Sequence, residues 1–225
     1  MFFDLIYSLD KKLIDFSLNE LRNQKLIYAK QFSSVSELKK EQKLIEQLNF
    51  SLAENLKASH KEKKIYLMHL VDEKKENSIN EFSKHSDFLG LICSNAKAVN
   101  LAIKSNKINF LISPVTEEKP LIDLGIAKNL RKSETTSVIS FSHFNSLAPE
   151  KQSLMLKNLM SFSVVSNKAK LNSITLSCAS NQNNLRSSRD LTVFSDLIGL
   201  KDSKVKAKEI FASLFSNETK VKVLD

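Results

Sequence analysis

The sequence is poor in the residues from which many catalytic and redox sites are built. Its 225 residues include three glycines, two cysteines, four histidines and no tryptophan. Because Gly90, Gly125 and Gly199 are isolated from one another, a glycine-rich phosphate-binding loop is excluded. The motifs GxGxxG, GxxxxGK(S/T) and GxSxG are also absent. The chain therefore lacks the signatures of dinucleotide-binding proteins, P-loop nucleotidases and hydrolases with a serine nucleophile elbow.

The cysteines and the hydrophobic runs indicate the cellular compartment to expect. Cys93 and Cys178 each lie in an apolar run and form no CxxC pair, which argues against a zinc site or a disulfide framework. We expect two reduced, buried thiols, as is usual for a cytoplasmic protein. The first ten residues reach Asp4 without a preceding basic region, so we expect no signal peptide. No apolar run is long enough to cross a bilayer, and we expect no membrane contact.

The balance of charge favours an anionic partner. There are 34 lysines and arginines against 25 aspartates and glutamates, a net charge of +9. Nucleic acid is the first candidate partner and an anionic membrane surface the second. The alternative is that the lysines only solvate the surface, since composition does not locate a patch.

Short apolar runs alternate with longer segments of helical spacing along the chain. This order predicts a parallel sheet with right-handed crossovers, in the form of a TIM-like (β/α) barrel of about seven strands. We interpret residues 1–225 as a single domain, with residues 201–225 as a carboxyl-terminal helix and tail. The predicted strands cover residues 2–6, 26–32, 65–71, 88–93, 108–112, 137–141 and 174–178. The predicted helices cover residues 11–21, 36–56, 95–103, 123–131, 149–166, 187–197 and 202–215.

The histidines do not form a recognisable metal-binding motif. HxH and HExxH are absent, and we predict no metal site. Asp4, His69 and His143 fall near predicted strand ends, however. A metal-dependent phosphoesterase that uses these three residues therefore stays open as an alternative.

The segment from residue 171 to residue 200 carries the most information about function. A buried strand ends in a polar loop at residues 180–184, which is the usual layout of a site at the carboxyl end of a sheet. Arg186 and Arg189 follow at the start of a helix, with Ser187 as its cap and Asp190 in its first turn. A cation is unfavourable at a helix amino terminus, so the presence of arginine there indicates an anionic ligand. The alternative is an ion pair of Arg189 with Asp190 or Asp196.

A second basic cluster, Lys128, Arg131 and Lys132, lies at the end of a predicted helix. Cations are favoured there by the helix dipole in any case, but we include the cluster among the candidate RNA-binding residues. No aromatic-rich face suited to base stacking is evident. Any contact with RNA is therefore expected to involve phosphates and shape.

Several segments, taken in order, resemble the ribonuclease P protein component 3 family of archaea and eukaryotes. The most specific is LRSSRDL at residues 185–191, followed by LIGL at residues 197–200. Ser188 stands where the family usually has proline, Ala179 where glycine is common, and Asn109 where aspartate is usual. The other similar segments are FFDL at residues 2–5, LIC at 91–93, INFL at 108–111, residues 122–128 and residues 137–141.

The resemblance implies both a fold and a role. The fold is a barrel related to that of the polymerase-and-histidinol-phosphatase superfamily, without its metal ligands. The role is that of a non-catalytic subunit of ribonuclease P, the endoribonuclease that removes the 5′ leader from precursor tRNA. The chain would bind no cofactor, and Mg²⁺ would act on the catalytic ribonuclease P RNA. The implied protein partner is ribonuclease P protein component 2, in a heterodimer that usually pairs with a second heterodimer.

Overall fold

The computed structural model describes residues 3–21, 25–55, 63–74 and 79–215. Within them, seven parallel strands form one sheet in which each strand pairs with the next along the chain, in the order β1 to β7. The strands are β1 (Phe3–Ile6), β2 (Lys25–Lys30), β3 (Lys64–Val71), β4 (Phe88–Ile92), β5 (Phe110–Ile112), β6 (Thr136–Ser140) and β7 (Ser173–Leu176).

Helices connect the strands and follow the last of them. They are α1 (Lys11–Asp15), α2 (Val35–Asn55), α3 (Ile79–Phe82), α4 (Ala96–Lys104), α5 (Leu124–Lys132), α6 (Phe141–Asn145), α7 (Pro149–Ala169), α8 (Ser188–Leu197) and α9 (Ser203–Phe215). A π-helical segment, Phe16–Glu20, continues α1, and a short 3₁₀ turn, Gln182–Asn184, precedes α8. The predicted barrel of about seven strands is confirmed. The predicted tail beyond α9 lies outside the described residues.

The barrel interior is filled by alternate residues of the strands. Residues of one face point inward and form a cluster with the last helix, whereas the intervening residues pack against the surrounding helices. Gly90 is required by this packing, because an added Cβ would lie 2.6 Å from Sδ of Met68. The inward strand residues are Phe3, Leu5, Ile27, Ala29, Tyr66, Met68, Leu70, Phe88, Phe110, Ile112, Val138, Ile174 and Leu176.

Helix α9 covers the end of the barrel where the strands begin. Phe215 packs against Tyr66, Phe88 and Phe3, with ring centroids 4.8, 5.6 and 5.7 Å apart. Phe211 also contacts Phe3, at 6.1 Å. Burial of each such ring stabilises the fold by about 1.5–3 kcal/mol. The amino-terminal end of the barrel is therefore filled by aromatic side chains, which leaves the opposite end for a site.

Among the described residues, backbone hydrogen bonds close the barrel at its carboxyl end. There, the Ala179 N–H donates to Leu5 O at 3.1 Å, and the Tyr7 N–H donates to Ala179 O at 2.8 Å. Below this bridge, Oδ1 of Asp4 accepts a hydrogen bond from the Ser177 N–H at 2.7 Å. A carboxylate therefore replaces a backbone acceptor between the first and last segments of the barrel.

Asn109 lies just before β5, at a position where aspartate is usual in the family that the sequence resembles. Its Oδ1 accepts a hydrogen bond from the Leu89 N–H of β4 at 2.9 Å. Asp87 acts similarly before β4, since its Oδ2 accepts from the Leu67 N–H at 2.7 Å. An amide oxygen serves this purpose as well as a carboxylate does, so the departure at position 109 is compatible with the sheet.

Candidate nucleic-acid interface

The β7–α8 loop, residues 177–187, lies at the carboxyl end of the barrel. Ser177 and Cys178 continue the path of β7, and Cys178 has a left-handed backbone (φ 51°) that turns the chain out of the sheet. Asn181 then accepts a hydrogen bond from the Asn184 N–H at 3.2 Å, which orders the exposed turn. The loop is therefore held at both ends and carries its polar residues outward.

Arg186 is a half-buried residue that stabilises this loop. Its Nη1 donates to the carbonyl oxygens of Asn183 and Leu185, both at 2.7 Å. The guanidinium lies over the ring of Phe141, 5.0 Å from the centroid, and the Phe141 ring in turn meets Phe194 edge-on at 5.2 Å. The loop therefore fixes the direction of a permanent positive charge.

Arg189 differs because it is exposed and lies in the first turn of α8. Within the described part of the chain it makes no hydrogen bond or ion pair. The alternative of an ion pair with Asp190 or Asp196 is therefore wrong for this structure, and each of these carboxylates instead accepts a hydrogen bond from a serine hydroxyl. Ser187 Oγ donates to Asp190 Oδ2 and Ser203 Oγ donates to Asp196 Oδ1, each at 2.7 Å.

The start of α8 has the geometry of a capped helix. Ser187 Oγ accepts a hydrogen bond from the Asp190 N–H at 3.2 Å. In a capping box the acidic side chain reaches the backbone N–H of the cap residue, whereas here Asp190 bonds the hydroxyl of Ser187 instead. Ser188, which stands where the family that this segment resembles usually has proline, occupies the first helical position. Arg189 therefore lies in an ordered first turn of α8, and Arg186 lies directly before the cap residue.

The second basic cluster lies at the other end of the barrel. Lys128, Arg131 and Lys132 are exposed on the last turns of α5, which runs from the end of β5 back to the beginning of β6. Arg131 borders a cleft of about 700 Å³ whose other walls come from the segments that precede β4–β7 and from α9. The structure therefore does not bring this cluster together with Arg186 and Arg189.

The three residues of the alternative metal site do not converge. Asp4 is fully buried at the junction of β1 and β7. His69 is stacked on Phe82 with centroids 3.8 Å apart, while its Nδ1 accepts from the Phe32 N–H at 3.3 Å. His143 is exposed on α6. No group of three potential metal ligands occurs among residues 3–21, 25–55, 63–74 and 79–215.

Burial governs the titration of the ionisable groups at this end. It raises the pKa of Asp4 from 3.8 to about 6, although hydrogen bonds from Ser177 and Leu5 oppose the shift. Burial also raises the pKa of the Cys178 thiol to about 12, so this thiol is not activated as a nucleophile. Burial lowers the pKa of His69 to about 4, which keeps its imidazole neutral.

No family profile matches the chain, and no curated protein matches its sequence. Solved structures do share its architecture. One is a protein chain in the cryo-EM structure of archaeal ribonuclease P with mature tRNA, with a TM-score of 0.75 and 15% identity, over 94% of this chain and 89% of that one. The chain therefore shares its fold with that ribonuclease P chain.

Two enzymes share the barrel less closely. A prolidase complexed with N-methylphosphonate-L-proline has a TM-score of 0.56 and 8% identity, over 95% of this chain and 73% of that one. Histidinol phosphate phosphatase from Lactococcus lactis, bound to zinc, L-histidinol and phosphate, has a TM-score of 0.51 and 12% identity, over 88% and 92%. The predicted relation to the histidinol phosphatase barrel is confirmed at the level of fold.

Sequence reasoning located the arginines but missed the residues that support them. Phe141 and Asp4 hold the β7–α8 loop from two other parts of the chain, and Ser177 holds Arg186 within the loop. Only Asp4 gave a signal, as a charged residue within an apolar strand, and it suggested a metal ligand instead. Among the described residues, no helix is long and apolar enough to span a bilayer.

Proposed function

We propose that this chain is a protein subunit of ribonuclease P that binds the catalytic RNA and does not itself cleave precursor tRNA. The observation that carries the proposal is the likeness to a ribonuclease P chain, at a TM-score of 0.75 over nearly the full length of both. The two barrel enzymes reach only 0.56 and 0.51. The LRSSRDL segment at residues 185–191, which resembles the most specific motif of component 3, adds independent support.

The β7–α8 loop supplies a physical basis for RNA binding. Arg186 and Arg189 lie three residues apart at the carboxyl end of the barrel, and Arg189 has no partner among the described residues. Each arginine can neutralise one phosphate, which releases counterions and makes binding dependent on salt. Contacts of this kind position a folded RNA without reading its bases. The Lys128, Arg131 and Lys132 cluster would contact a different RNA segment, because it lies at the opposite end.

The rest of the assembly follows from the same proposal. The ribonuclease P RNA with its Mg²⁺ would supply the catalytic centre, and this chain would bind no metal or cofactor. Ribonuclease P protein component 2 would be its protein partner, and precursor tRNA would be the substrate of the complex. The phosphoesterase alternative has no support from the site, because Asp4, His69 and His143 do not converge.

Reconstitution tests the proposal directly. Ribonuclease P is assembled from its RNA and proteins with the wild-type chain, without it, or with the R186A/R189A variant, and cleavage of precursor tRNA is measured at limiting protein. We expect the variant to need a higher concentration to restore cleavage, with unchanged folding by circular dichroism. K157A/K168A, which removes two exposed charges from α7, is the matched control. Wild-type behaviour of R186A/R189A would refute the role of the loop. Cleavage that does not depend on the chain at all would refute the subunit assignment.

A further inference from the structure

Asp4 is a buried carboxylate whose position is explained only in part by the sheet. It has no exposed surface, and its Oδ1 accepts from the Ser177 N–H at 2.7 Å and from the Leu5 N–H at 2.8 Å. Its Oδ2 has no hydrogen-bond partner in the part of the chain that the structure describes. Burial of an incompletely bonded carboxyl group is costly, so a function beyond strand pairing is indicated.

The residue that Asp4 holds supports Arg186 from two sides. Ser177 Oγ accepts a hydrogen bond from the Arg186 N–H at 3.0 Å, which fixes the backbone of the arginine. The Ser177 carbonyl oxygen accepts from the Ser142 N–H at 3.0 Å, at the start of α6. The same turn of α6 carries Phe141, whose ring lies under the Arg186 guanidinium. Both the backbone and the side chain of Arg186 therefore depend on where Ser177 lies.

We propose that Asp4 is a positioning residue for RNA binding, and that it acts through Ser177 to hold Arg186 in place. This inference rests on the proposed function. Asp4 lies 173 positions from Ser177 along the chain, so this contact joins the first strand to the RNA-binding loop. A shift of Ser177 would move the Arg186 backbone and the Phe141 ring together. Arg189 lies in the first turn of α8, which has its own cap at Ser187, and would be affected less.

A double-mutant cycle distinguishes positioning from simple support of the barrel. Dissociation constants for ribonuclease P RNA are measured at 0.15 M salt for the full-length wild-type chain and for D4A, R186A and R189A. The double variants D4A/R186A and D4A/R189A are measured in the same way. We expect D4A to weaken binding about fivefold, as loss of one phosphate contact would. In the R186A background, D4A should have no further effect on binding, because the side chain that Asp4 positions is already absent. In the R189A background the full effect of D4A should persist.

Conservative variants keep the test valid if D4A fails to fold. D4N retains an oxygen acceptor for the Ser177 N–H and should bind RNA nearly as the wild type does. S177A removes only the hydroxyl that holds the Arg186 N–H, and its effect should also vanish in the R186A background. N49A is the matched control, since Oδ1 of Asn49 accepts a hydrogen bond from the Ile65 N–H of β3 at 2.8 Å. Asn49 belongs neither to the β7–α8 loop nor to the lining of the cleft that Arg131 borders. N49A should lower stability without changing RNA affinity.

The outcomes separate this inference from the proposed function. If D4A and S177A weaken binding equally with and without Arg186, or if N49A weakens it as much, the positioning role is wrong while the subunit assignment stands. If R186A and R189A themselves leave RNA binding unchanged, the RNA-binding role of the loop is wrong, and the positioning role falls with it. Coupling confined to Asp4, Ser177 and Arg186 supports the inference.

Discussion

Arg189 offers the sharpest prediction, because folding and RNA binding place opposite demands on it. It lies exposed in the first turn of α8, where the helix dipole disfavours a cation, and it has no carboxylate partner among the described residues. Replacement by alanine should therefore leave stability unchanged or raise it, by about 0.3–1 kcal/mol at low ionic strength. If the side chain contacts a phosphate, the same replacement should weaken RNA binding.

The size of the binding loss follows from counterion release. One phosphate contact contributes about 0.9 to the slope of log K against log salt concentration, which amounts to about a fivefold change in affinity at 0.15 M salt. R189A should therefore lower the slope by about one and raise the dissociation constant about fivefold. Filter binding to ribonuclease P RNA between 0.05 and 0.3 M salt measures both quantities, and urea unfolding measures stability.

Lys204 provides a matched control. It is also exposed in the first turn of a helix, α9, but that helix lies against the opposite end of the barrel. K204A should reproduce the effect of R189A on stability and leave the salt slope unchanged. Equal salt slopes for R189A and the wild type would refute the assignment of Arg189 as a phosphate contact. Equal losses for R189A and K204A would show that only net charge matters.

Four further predictions concern the rest of the barrel. R131A should also weaken RNA binding, and its effect should add to that of R189A, since the two residues lie at opposite ends; binding isotherms of the double variant check this. G90A should lower the free energy of unfolding by about 1–3 kcal/mol, because the added Cβ meets Met68 in a filled interior, as urea unfolding would show. The raised pKa of Asp4 means that its contribution to stability is present below about pH 3.8 and is lost as the pH rises through about 6. D4N should abolish this loss of about 3 kcal/mol, measured by unfolding at pH 3 and pH 7. The lowered pKa of His69 acts in the opposite direction, so H69Q should reduce the loss of stability on acidification from about pH 6.5 to 4.

The strands could be predicted because the barrel requires a simple pattern. Strands buried on both faces are short, nearly continuous apolar runs, and all seven were predicted with boundaries within two residues of those observed. Helices α3 and α6, of four and five residues, were missed because one turn of helix carries too little periodicity to detect. The packing of α9 against the amino-terminal end was also missed, since it depends on contacts between Phe215 and strands remote in sequence.

The candidate site was predictable only where its residues are contiguous. Arg186 and Arg189 belong to one short segment, so an unfavourable charge at a helix start was visible without a structure. Whether Arg189 forms an ion pair could not be predicted, because the carboxylates near it in sequence could have been its partners. The structure assigns those carboxylates to Ser187 and Ser203. The contribution of Asp4 depends on barrel closure, which no local pattern specifies.

Under the proposed function, the two arginines of the loop would have different parts in RNA binding. Arg186 gives two hydrogen bonds to loop carbonyls and stacks on Phe141, so much of its bonding capacity is used to order the protein itself. A loop that is ordered before it binds RNA loses less conformational entropy on binding, and its affinity is higher for that reason. Arg189, placed by the helix that the ordered loop begins, keeps its full capacity for a phosphate. A barrel without converging metal ligands in its described residues can support a catalytic RNA in this way. Its fixed positive charges would offset the repulsion between phosphate groups that the folded RNA brings close together.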